Sequence, residues 1–114
     1  MYKLAVAFPA LIVALVACSP PETNCTEEAR ASVVVDIQDA DGNPIDDVDV
    51  VYTVDGGAEE DCQAGSNPGE FICGYEVEGN IEVFAVTDTE EGSMSFDIDA
   101  DACHVNGQAG TIVL

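Results

Sequence analysis

The chain has 114 residues, with 23 acids against two bases, a formal charge of −21 and 47% hydrophobic residues. That length suits one domain with one core, and a field this negative repels nucleic acid and anionic head groups, which excludes both as direct ligands of the folded surface. Wholesale disorder is excluded too, because the apolar residues are plentiful and periodic rather than sparse.

Met1, Tyr2 and Lys3 make a short cationic start, and Leu4 to Ala17 follow without a charge. This is the layout of an export signal, and the apolar run is shorter than the about 20 residues that a helix needs to cross a bilayer. Leu15-Val16-Ala17-Cys18 resembles the lipobox of bacterial lipoproteins. That resemblance implies cleavage before Cys18, a diacylglycerol on its thiol and further acylation of the new amine, with palmitate-type chains. Each buried methylene contributes about 0.8 kcal/mol, so two or three chains make a durable anchor to the lipid bilayer. Removing the first 17 of 114 residues leaves 97; Lys3 goes with them, so Arg30 stands as the one base against 23 acids and the charge becomes −22. Residues 18–29 then form a lipidated tether, opening with Ser19, Pro20, Pro21 and Glu22. Ser19 after the lipidated cysteine implies, for a Gram-negative cell, sorting to the outer membrane.

From residue 30 to 114 the pattern is that of strands. Val33, Val35 and Ile37 alternate with polar neighbours, and so do Val48, Val50, Tyr52 and Val54, then Phe71, Cys73, Tyr75 and Val77. The period of two returns at Ile81, Val83 and Ala85, at Met94, Phe96 and Ile98, and at Ile112 and Leu114. Asp41-Gly42-Asn43-Pro44, Asp55-Gly56-Gly57, Asn67-Pro68-Gly69, Gly79-Asn80 and Glu90-Glu91-Gly92 punctuate the runs as turns. The spacing predicts an all-β fold, a small antiparallel β-sandwich of about seven strands. Asp36, Asp47, Asp49, Asp97 and Asp99 fall on the polar sides of these strands. They read as a solvated face that gains stability as salt screens it.

With Cys18 assigned to lipid, Cys25, Cys62, Cys73 and Cys103 remain. An even count in an exported small domain points to two disulfides. Three pairings are open, and the spacing favours Cys25 with Cys103 and Cys62 with Cys73 on one condition: the first and last strands must run side by side and parallel. The competing reading is a zinc site of Cys62, Cys73, Cys103 and His104. It lacks a Cys-x-x-Cys pair, and its Cys103 and His104 are adjacent.

Asp39-Ala40-Asp41-Gly42-Asn43-Pro44-Ile45, followed by Val48, Val50 and Tyr52, resembles the opening of the carboxypeptidase regulatory-like domains, which are transthyretin-like β-sandwiches. Gly79 to Ala85 is similar to a later strand of that family, with Ile81 in place of its aromatic residue, and Cys103-His104-Val105 is similar to the end of a cysteine-containing subset found in bacterial lipoproteins. The resemblance covers roughly residues 29 to 114. It implies the fold and a non-catalytic accessory role, and no substrate.

No catalytic motif competes. His104 is the single histidine and lies beside a cysteine, which suits a structural role better than a general base; no Gly-x-Ser-x-Gly elbow, phosphate loop or His-Glu-x-x-His pair occurs. Calcium is the sharper alternative, since Asp39, Asp41, Asn43 and Asp46 offer hard oxygens at close spacing. The segment is not an EF-hand, because Pro44 occupies the sixth loop position and Val50 the twelfth. The same residues also make an ordinary turn. Two functions stand at this point: a structural or docking module meeting an envelope or extracellular protein, and a binding module that captures calcium or a cationic peptide through its Asp-rich turns.

Overall fold

The computed structural model describes residues 25–114. Cys18, the leader and the start of the tether lie outside them. The described residues contain eight strands and no helix: β1 (Ala31–Gln38), β2 (Asp49–Val54), β3 (Glu60–Asp61), β4 (Gln63–Ala64), β5 (Glu70–Tyr75), β6 (Gly79–Val86), β7 (Glu91–Ile98) and β8 (Gln108–Val113). They form two four-stranded sheets, ordered β4-β5-β1-β8 and β3-β2-β6-β7. The protein is a small all-β sandwich.

Alternation sets which faces meet. Val33, Val35 and Ile37 of β1, Ile81, Val83 and Ala85 of β6, and Cys73 of β5 are fully buried between the sheets, joined by Val50, Tyr52, Phe96, Ile98 and Ile112. Branched aliphatics at every second position suit both the pleat and a half-buried sheet, and fully burying one such side chain contributes roughly 1.5–3 kcal/mol. Burial also pushes the Tyr52 hydroxyl pKa upward, with the nearby Glu60 charge adding to it.

Eight strands stand where the periodicity predicts about seven. The link from β2 to β5 contributes two strands of two residues each, β3 in one sheet and β4 in the other, with Cys62 between them where the chain crosses the sandwich. Two residues carry no period, and these are placed by backbone pairing, Tyr52 with Glu60 and Gln63 with Ile72, around the bridged Cys62. β2 begins at Asp49, so Asp47 and Val48 belong to the preceding loop. Tyr75 and Met94 share the inner-face period but are 42% and 38% exposed. Tyr75 ends β5 and Met94 lies on an edge strand, where less of the facing sheet covers them.

β1 and β8 run parallel, from Val33 opposite Gln108 to Gln38 opposite Val113. This meets the condition for the long disulfide: the segments leading into both strands converge at one end, and Cys25 and Cys103 are bonded there with Cα atoms 5.2 Å apart. Cys62 and Cys73 form the second bridge, Cα atoms 4.5 Å apart. The four thiols are therefore bonded to one another, and the zinc set of Cys62, Cys73, Cys103 and His104 has no thiolate to offer.

Candidate functional site

The most constructed polar arrangement sits beside the Cys25–Cys103 bridge. His104, with its side chain 9% exposed, donates from Nδ1 to Oε2 of Glu76, while its Nε2 lies 2.8 Å from Oγ1 of Thr26. Glu76 also accepts from the backbone N–H of Val105 at 2.9 Å and of Arg30 at 3.0 Å. Asp101 accepts from the N–H groups of Cys103 at 2.8 Å and His104 at 2.9 Å. One imidazole and two carboxylates thus tie together the segment entering β1, the β5–β6 turn and the loop before β8.

Local sequence explains each placement. Asp101 bonds amides two and three residues ahead, the Asx pattern that short polar side chains favour in loops. Glu76 follows Gly74 and Tyr75 at the end of β5 and adopts the left-handed region, φ 54°, which costs a residue with a Cβ on the order of 1 kcal/mol. Its three hydrogen-bond partners offset that strain. They also hold its carboxyl below the ordinary value of 4.5, the His104 bond first and the Val105 amide second. The carboxyl of Asp101 is likewise lowered, by the His104 amide and then the Cys103 amide.

A hydroxyl, an imidazole and a carboxylate in this order copy the nucleophile–base–orienter geometry of acyl-transfer enzymes, and they border an open concavity of about 400 Å³. The remainder of that chemistry does not fit. An oxyanion needs free donors aimed at it, yet the N–H groups of Cys103, His104 and Val105 already serve Asp101 and Glu76. Glu27, Glu28, Glu78 and Asp101 line the same concavity, so a developing negative charge would meet repulsion. The arrangement is suited to clamping the chain.

The four residues of the calcium reading lie at the opposite end, where the Asp39 and Asp46 carboxylates accept backbone N–H groups. Asp39 closes its own turn: Oδ1 accepts from the N–H groups of Asp41 and Asn43, each at 2.9 Å, and Oδ2 from the Asn43 amide at 3.4 Å. These bonds, that from the Asn43 backbone N–H foremost, lower its pKa. Asp46 points elsewhere, accepting from the N–H of Gly69 at 2.7 Å. Gly69 has φ +73°, and a Cβ there would lie 2.8 Å from both the Ile37 carbonyl and Pro44. Only glycine fits that corner, and Asp46 caps it. Among the described residues no group of three or more histidine, cysteine or acidic side chains is placed to hold a metal ion. A second cleft of about 560 Å³ is lined by Asp46, Asp47, Asp49 and Asp88.

Sequence reasoning missed Glu76, Asp101 and Thr26. The Asp-x-Cys-His spacing carried the signal for Asp101, while nothing local marks Glu76, whose partners lie 28, 29 and 46 residues away. No protein-family model, curated protein or solved structure matches this chain.

Proposed function

We propose that the chain is an exported lipoprotein of the bacterial cell envelope, anchored in the bilayer through acylated Cys18, whose sandwich is a non-catalytic structural or docking module. The leader, the Leu15-Val16-Ala17-Cys18 box and the even set of remaining cysteines support export and lipidation. Ser19 favours the outer membrane where the cell has one. The two-sheet architecture is the one implied by the likeness to carboxypeptidase regulatory-like domains, and it supports that assignment.

The observation that carries the docking role is the clamp. Cys25 is the seventh residue after Cys18, a reach of at most about 25 Å when extended. At that point the chain is bonded to Cys103, and Thr26 to His104. A tether entering a domain through a covalent staple and a hydrogen-bonded histidine fixes the domain's end to its anchor, as a display platform requires. Acids line the surface concavities at both ends of the sandwich, which on an anionic membrane keeps the domain standing off the head groups.

Intact-mass analysis of the native protein tests this reading. The expected product begins at Cys18, carries the added mass of acyl chains and loses four hydrogens for two disulfides; an unmodified residue 18 or a retained leader overturns it. Cys18→Ala should move the protein out of the membrane fraction. Titration of the purified protein with a basic peptide separates docking from cation capture: tight binding that collapses with added salt favours the latter.

A further inference from the structure

Edges decide what a β-sandwich can add to itself, because an edge strand presents unpaired N–H and C=O groups that another strand can join. The described sheets have four edges. β3 and β4 are two residues long, and both residues of β3 are acidic. β7 is long but carries Glu91 and Asp97. β8 differs from all of them: Gln108–Val113 has six residues and contains no charge, no proline and no lysine. It lies within Ala102 to Leu114, 13 residues that contain no Asp, Glu, Lys or Arg in a chain of charge −21.

The open side of β8 can be read from its ladder. Leu114 donates its N–H to the Gln38 carbonyl, and in a parallel pair the groups facing one neighbour alternate with those facing the other. Gly110, Ile112 and Leu114 therefore bond toward β1, which leaves the N–H and C=O groups of Ala109, Thr111 and Val113 directed outward. Those three residues are exposed. Two of the exposed large hydrophobic residues, Val113 at 55% and Met94 at 38%, flank this edge, Met94 with its sulfur close over Gly110.

We infer that two copies of this chain pair through β8, antiparallel about a twofold axis at Thr111. Ala109 then faces Val113 of the partner subunit and Thr111 faces the partner's Thr111, so each outward group meets a complement and the two β4-β5-β1-β8 sheets become one. Charge selects this edge over the others. Copies this acidic repel at nearly every approach, whereas here the nearest acid in register, Asp36 opposite Thr111, is separated from its symmetry mate by three strand spacings, about 14 Å. That exceeds the about 8 Å screening length at physiological ionic strength. A single strand pair is smaller than a standard interface, so the dimer is concentration-dependent and strengthens with salt. The inference deepens the docking role proposed above by naming the partner, and it does not depend on the lipid anchor.

Sedimentation velocity of the purified protein across a concentration series, at low and high sodium chloride, tests it together with amide exchange. Dimer should grow with concentration and with salt, while the Ala109, Thr111 and Val113 amides become protected in step. Thr111→Asp, which sets two carboxylates at the axis on an exposed position, should shift the dimer dissociation constant at least tenfold weaker, and Thr111→Val should keep pairing. Melting temperature and disulfide content of both variants establish that the sandwich is intact. A monomer at every concentration and salt, or a dimer indifferent to Thr111→Asp, overturns the inference; either can occur with the mass analysis of Cys18 fully as expected.

Discussion

The two ends of the sandwich use the same chemistry, carboxylates accepting backbone N–H groups, at very different range. At the Asp39 end the bonds span two to four residues, with Asp46 to Gly69 as the longer exception. At the His104 end Asp101 also bonds amides two and three residues ahead, but Glu76 reaches 28, 29 and 46 residues, Thr26 reaches 78, and a disulfide of the same span lies alongside. A local bond shapes a turn that would form in much the same way in an unfolded chain. A long-range bond exists only in the fold, so its loss falls on global stability.

The largest break in that comparison comes from the staple. Replacing Cys25 and Cys103 together by serine removes a closure of separation 78, for which chain entropy gives about 4.5 kcal/mol; the closure of separation 11 between Cys62 and Cys73 is worth about 3 kcal/mol on the same account. Urea denaturation of the two double variants should rank them in that order. Equal losses would show that loop length does not govern these bridges.

Glu76→Gln comes next and carries a pH signature. The folded-state pKa of Glu76 is lowered, so its contribution is fully present above the unfolded value near 4.5 and is lost as pH falls through the lower folded value. The difference in melting temperature between parent and Glu76→Gln should therefore narrow as pH falls below about 4.5. A gap that does not narrow at all as pH falls below about 4.5 would assign the effect to packing. Asp101→Asn should behave similarly, with its window beginning near 3.8.

Asp39→Ala should cost less than Glu76→Gln, since it loosens one exposed turn, and the first amides to exchange faster should be those of Asp41 and Asn43. The smallest effect sharpens the electrostatic side. Asp36 and Glu70 are register partners on β1 and β5, and like charges placed opposite destabilise a sheet. Asp36→Asn should raise the melting temperature slightly at low salt and not at high salt, against a background in which the parent itself is stabilised by added sodium chloride.

Sequence by itself determined the all-β class, the buried faces and most strands, because a period of two in Val33–Ile37, Ile81–Ala85 and Phe96–Ile98 states which side chains share a face. It determined the turn at Asp39, whose carboxylate acts on near neighbours. Only the tertiary structure decided what distance in the chain conceals: that β8 lies parallel to β1 and so brings Cys25 to Cys103, that Glu76 bonds His104, and that Asp46 caps Gly69. Side-chain pattern is a local property of the chain, whereas the partners of a hydrogen bond or a disulfide are fixed by how the sheets stack, and no local period encodes that.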